Sequence, residues 1–176
     1  MSGLIFSATR YFISNPVAVR RLLCWAPCGF LFSLLVSCGP AEDARTLFNA
    51  GHFERSLQVA MAEAQRDLPA AANLVGVHYY IGAGVERDFV EAGRWFERAA
   101  LQGDPSAQRN LATLYLRGLG VKQDDFLAYA WFTEAAERGN GRALAYMALM
   151  GDALTPSEMV RARKVLNAEL DKRLPD

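Results

Sequence analysis

Two stretches decide the fold: YYIGAGVERDFVEAGRWFERAALQG at residues 79–103 and YLRGLGVKQDDFLAYAWFTEAAERG at 115–139. Laid over each other at an offset of 36, they place Tyr79 on Tyr115, Gly82 on Gly118, Gly84 on Gly120 and Val85 on Val121. Asp88 then falls on Asp124, Ala92 on Ala128, Trp95-Phe96 on Trp131-Phe132, and Gly103 on Gly139. So many identities in one gapless register mark a repeat array. Each unit reads as helix, glycine loop, helix. Asp104-Pro105 supplies an N-cap and a proline for the first helical position, and Ala107, Leu111, Leu114 and Tyr115 follow at helical spacing. Gly118 can end that helix because glycine adopts a positive φ freely. Asp124 caps the next helix, and in the first unit Asp88 with Glu91 predicts a capping box. One such pair cannot bury its own apolar face, so the units must stack.

The pattern Tyr-x-x-Gly-x-Gly-Val-x-x-Asp, followed by Ala-x-x-Trp-Phe-x-x-Ala-Ala-x-x-Gly, resembles the Sel-1-like repeat, a branch of the tetratricopeptide superfamily. The resemblance covers residues 71–140, as a first repeat at 71–105 and a second at 107–141. It implies a structural role for Tyr79, Gly82, Gly84, Trp95 and Gly103, and for Tyr115, Gly118, Gly120, Trp131 and Gly139. It also implies protein–protein scaffolding.

The flanks depart from the pattern. Residues 44–50 and 53–64, joined across Gly51-His52, predict a shorter tetratricopeptide-like pair within 44–68. Residues 143–150 resemble a third first helix, but Asp152-Ala153-Leu154 stands where the glycine loop belongs. Thr155-Pro156-Ser157-Glu158 predicts a capping box opening a polar helix, so 143–173 reads as a degenerate third repeat with a C-terminal capping helix. The expected fold is all-α: a right-handed α/α superhelix (solenoid) of about four antiparallel helix pairs with a concave face.

Ahead of the body, Arg20-Arg21 precedes an apolar run at 22–36 that closes on Leu35-Val36-Ser37-Cys38. That order predicts a secretory signal peptide over residues 1–37. The run falls short of the ~20 residues a bilayer span needs, and Pro27 interrupts it, so a permanent membrane helix is the weaker reading. Leu35-Val36-Ser37-Cys38 resembles a bacterial lipobox, which implies cleavage after Ser37 and lipidation of Cys38. Several acyl chains give a stable anchor. Gly39, where Asp would favour retention at the inner membrane, points to an outer-membrane lipoprotein facing the periplasm. Residues 38–43 then form a lipidated tether, in which the stretch from Gly39 to Asp43 reaches about 17 Å at most and keeps the body against the membrane. Residues 1–19 look like neither signal nor domain, and a start near Val17 or Val19 would shorten the leader. The surroundings of Arg20-Arg21 fit twin-arginine export poorly.

The formal charge of the whole chain is zero, but residues 1–37 hold three arginines and no acid, leaving 16 basic against 19 acidic side chains. That mildly acidic body offers no footprint for nucleic acid. All three cysteines, Cys24, Cys28 and Cys38, lie in the first 38 residues, so no disulfide scaffold is expected.

No catalytic chemistry is legible. The Gly82-Ala83-Gly84 and Gly118-Leu119-Gly120 loops follow helices, where a dinucleotide motif needs a strand. His52 falls at a turn and His78 on a half-buried helix face, without metal-ligand spacing. Ser157 lacks a Lys three residues on and belongs to a cap. Acidic pairs such as Asp124-Asp125 sit at helix N-termini, where they offset the dipole. Trp95, Phe96, Trp131 and Phe132 recur at fixed repeat positions and read as core between units. Tyr80, Arg94 and Tyr129 break the repeat's own pattern and are the candidate partner contacts. The expectation is a non-enzymatic, membrane-anchored adaptor without cofactor or metal, binding a protein or peptide on its concave face. An immunity-type inhibitor of a periplasm-acting toxin, or a binder of cell-wall fragments, is the alternative.

Overall fold

The computed structural model describes residues 43–151 and 154–173. The leader at 1–37, Ser37, the lipidation site Cys38, most of the tether and the Asp152-Ala153 connection lie outside the described residues. Eight helices are described: α1 (Ala44–Asn49), α2 (Phe53–Ala64), α3 (Pro69–Ile81), α4 (Phe89–Leu101), α5 (Pro105–Arg117), α6 (Asp125–Glu137), α7 (Gly141–Gly151) and α8 (Pro156–Arg173). They form an array of paired antiparallel helices stacked into a solenoid-like superhelix.

Local chemistry sets most of the boundaries. Side chains of Asp43, Asp88, Asp104 and Asp124 each accept a hydrogen bond from a first-turn amide of α1, α4, α5 and α6, occupying donors that a helix start leaves unpaired. Asn140 does the same for Ala143 at α7 (3.0 Å). Thr155 and Glu158 form the reciprocal box at α8: the Thr155 amide donates to Glu158 Oε2 at 2.8 Å, and the Glu158 amide to Thr155 Oγ1 at 3.4 Å. The box expected at α4 is only half built. Asp88 accepts from Val90 and Glu91, but its own amide donates to the Tyr79 carbonyl (3.0 Å), and Glu91 turns to Arg94 instead. The last turn of α3 supplies the acceptor that the box would have used.

The two glycines of each loop do different work. Gly82 and Gly118 end α3 and α5 at φ 74° and 63°. Gly84 and Gly120 also have positive φ, but their main role is close approach. A Cβ on Gly84 would lie 2.6 Å from the Glu54 amide nitrogen, and one on Gly120 would lie 2.4 Å from the Phe89 carbonyl carbon. Each loop is therefore seated, backbone on backbone, at the start of the preceding second helix. Phe53 and Phe89 are themselves 36 residues apart, so the α1–α2 pair takes the place of a preceding repeat.

The core runs continuously along the array. Phe96 and Phe132 are fully buried, with alanines 60, 64, 92, 99, 107, 112, 128, 135 and 143 around them. These small residues let helices approach closely while the phenyl rings fill the space between pairs. Gly76 carries this furthest, because a Cβ there would lie 2.6 Å from the Phe96 ring. Trp131 is buried, but Trp95 is only half-buried, with the Arg98 guanidinium 5.6 Å from its ring centre.

His78, expected on a half-buried face, is 0% exposed. Its Nδ1–H donates to the Ala83 carbonyl at 2.7 Å, which leaves Nε2 as an acceptor 3.0 Å from Ser56 Oγ. The single Ser56 hydroxyl hydrogen is shared between Nε2 and the Ala44 carbonyl, 2.7 Å away. The Phe48 ring meets the imidazole edge-on. This network closes α1, α2 and the first glycine loop around α3.

The C-terminal end departs from the regular pairing. α7 and α8 both pack on α6, and they approach each other much less closely than α3 approaches α4. Ala162 and Leu166 anchor α8 in the core, and Arg163 pairs with Glu137 at 2.6 Å and Glu134 at 3.6 Å.

Candidate functional site

Successive first helices touch along the row, α1 to α3 and α3 to α5. A recess of about 190 Å³, lined by α3, α5 and α7 together, marks this row as the inner side. Val77 and Tyr80 of α3 form one wall and Tyr146 of α7 another, with Phe96 behind them. α5 contributes Arg109, Asn110, Thr113 and Arg117.

The α5 contribution follows from helical spacing. Arg109, Thr113 and Arg117 stand at i, i+4 and i+8 and share one face, while Leu111 and Leu114 turn into the core. Thr113 Oγ1 donates back to the Arg109 carbonyl at 2.9 Å. Asn110 Nδ2 donates to Asn73 Oδ1 at 2.9 Å, which fixes the amide between α5 and α3. Tyr146 is held by stacking on Phe132, with centroids 4.8 Å apart and planes within 9°. Tyr80 meets Phe89 edge-on at 5.4 Å.

Arg109 is the unusual member. Its Nε is buried and has no hydrogen-bond partner. Burial pushes its pKa down, and the Arg142 cation on α7 pushes in the same direction. Among the described residues none of Arg109, Arg117 or Arg142 makes an ion pair. Helices α3, α5 and α7 hold no Asp or Glu within their own turns, and Asp104 at the α5 N-cap opposes the shift at Arg109.

A second depression of about 350 Å³ lies between α6 and α8, lined by Tyr129, Thr133, Met159 and Lys164 among others. Its Arg163 is already committed to Glu134 and Glu137. The three candidate contacts therefore lie apart: Tyr80 in the inner recess, Tyr129 in the α6–α8 depression, and Arg94 exposed on α4 beside Glu91. Arg109, Asn110, Arg117 and Tyr146 escaped the sequence reading. The arginines had a legible signal, since the inner helices carry cations and no acid.

Residues 69–104 and 105–140 each match the Sel1 repeat family model. The fold is that of the Sel1-repeat and tetratricopeptide-like superfamily. The chain is similar to a Sel1 repeat protein from Oxalobacter formigenes, at 33% identity and a TM-score of 0.58, over 61% of this chain and 44% of that one. It is also similar to c5321, a protective antigen present in uropathogenic Escherichia coli strains displaying an SLR fold. There the identity is 25% and the TM-score 0.61, over 74% of this chain and 30% of that one. This chain thus spans less than half the length of either. No curated protein shows significant similarity to it. The architecture is that of a helical repeat array. Among the described residues no group of three or more His, Cys, Asp or Glu could hold a metal ion, and no helix is long and apolar enough to cross a membrane.

Proposed function

We propose that this chain is a membrane-anchored adaptor that holds a protein or peptide on its inner helix row. The observation that carries the binding half is the recess between α3, α5 and α7, whose polar groups are only partly paired within the chain. Concave faces of repeat arrays offer extended contact surfaces, and this recess is large enough for one or two side chains. The anchoring half rests on Leu35-Val36-Ser37-Cys38 directly after an apolar run. Lipid on Cys38 would tether the body through residues 39–43 to the periplasmic side of the outer membrane, with the array close to the surface.

Two measurements test the two halves. Cells fed labelled palmitate should incorporate it into the wild-type chain and not into Cys38→Ala, and the variant should leave the membrane fraction. Equal label in both would remove the anchor from the reading. The full chain, used as bait in detergent-solubilised envelopes, should retain one protein at near-equal stoichiometry. Tight binding of a purified wall glycan, with no protein retained, would replace the adaptor by a glycan binder.

A further inference from the structure

We propose that the inner recess recognises a side-chain carboxylate of an acidic, apolar-flanked peptide segment, with Arg109 as the primary anchor and Arg117 as its support; this rests on the adaptor reading above. The argument begins with charge. Residues 38–176 are net acidic, yet α3, α5 and α7 carry Arg109, Arg117 and Arg142 and no carboxylate. By contrast, Arg94 pairs with Glu91, Arg98 with Asp67, Arg138 with Glu134, and Arg163 with Glu137. Among the described residues Arg109, Arg117 and Arg142 have no such pair, although the Asp104 carboxylate at the start of α5 acts on Arg109.

Geometry narrows the ligand. The buried Nε–H of Arg109 has no acceptor, and a buried unsatisfied donor is costly to maintain. With Nε covered by the protein, the two terminal Nη groups of the guanidinium present the planar fork that matches the two oxygens of one carboxylate. Val77, Phe96, Tyr80 and Tyr146 surround that fork with apolar and aromatic surface, which suits the flanking side chains of a peptide better than a free inorganic anion. Three successive inner helices contribute to the recess, so a segment crossing the row can enter at one side and leave at the other. A side-chain carboxylate fits that path.

The repeat provides an independent argument. Positions identical in both units are scaffold: Pro, Tyr, the two loop glycines, Asp, Trp-Phe. Four positions lining the recess or pinning its amide differ between them, as Asn73 against Arg109, Leu74 against Asn110, Val77 against Thr113, and Ile81 against Arg117. The divergence within one chain thus falls where ligand contact is proposed.

The test uses the full-length chain in detergent on an array of dodecapeptides tethered through their C-termini, so that side chains supply the only carboxylates. Each sequence containing Asp or Glu next to Leu, Phe or Tyr is paired with its Asn or Gln counterpart. The acidic member should be retained at least about tenfold better, and less so as salt rises. Arg109→Gln and Arg117→Gln should each lose that preference with an unchanged or higher Tm. Arg109 stabilises no described partner, so a purely structural role would instead lower Tm. Arg109→Lys should recover only part of the preference, because charge returns without the fork. Equal retention of acidic and amide members, or a preference that survives Arg109→Gln, overturns acid recognition and leaves the adaptor reading standing. An array that retains no peptide overturns both.

Discussion

The two repeats fold alike but treat one position differently. At residue 78 the first repeat buries a histidine tied to Ser56 and the Ala83 carbonyl, and at the equivalent residue 114 the second buries a leucine. Leu114 reaches Gly93 and sits in the apolar joint between two true repeats. His78 faces the shorter α1–α2 pair, whose Ala44 carbonyl and Ser56 hydroxyl need partners. The same fold position is thus sealed by packing where repeat meets repeat, and by hydrogen bonds where the array meets a different kind of pair. The framework is set by the glycine loop, the second helix and the Pro and Tyr of the first, and most of the rest of the first helix varies.

That comparison breaks most severely at the shared loop. Gly120→Ala should cost at least about 4 kcal/mol, because the new Cβ meets the Phe89 backbone at 2.4 Å in a positive-φ conformation. Gly139→Ala also has positive φ but nothing within 4 Å, so it should cost about 1–2 kcal/mol. Urea unfolding of both variants measures the difference, and equal losses would mean that backbone strain alone, without loop seating, explains the glycine.

The divergent position comes next. His78→Leu gives the first repeat the side chain of the second and strips the Ala83 carbonyl of its donor, costing about 1–3 kcal/mol at neutral pH. Burial holds the His78 pKa below its ordinary value of 6.5. The unfolded chain therefore takes up this proton first as pH falls, so His78's contribution is intact above pH 6.5 and is lost below it. Stability measured from pH 7.5 to 5 should fall more steeply in the wild type than in His78→Leu. Parallel curves would show that His78 does not titrate differently in the two states.

The smallest effect sharpens the likeness. Asp88 accepts two first-turn amides and Asp124 one. Asp88→Ala and Asp124→Ala should each lose about 1 kcal/mol by thermal unfolding, with the larger loss at Asp88. A reversed order would mean that the half-built box at α4 leaves Asp88 the weaker cap.

Local rules readable in the chain account for the repeat, its period, the helices, their caps and the helix-ending glycines 82 and 118. A cap acts within three residues and an αL glycine acts on its own turn. The sequence also held the charge pattern of the inner helices, legible once the helix faces are assigned. Features that depend on distant partners emerge only from the packed array. His78 is fully buried because Ser56, 22 residues earlier, and the Ala44 carbonyl close over it. Asp88 abandons half of its box because the Tyr79 carbonyl lies within reach. The recess brings together Tyr80, Arg109 and Tyr146 from three different helices, because stacking successive pairs aligns faces that no spacing within one helix connects.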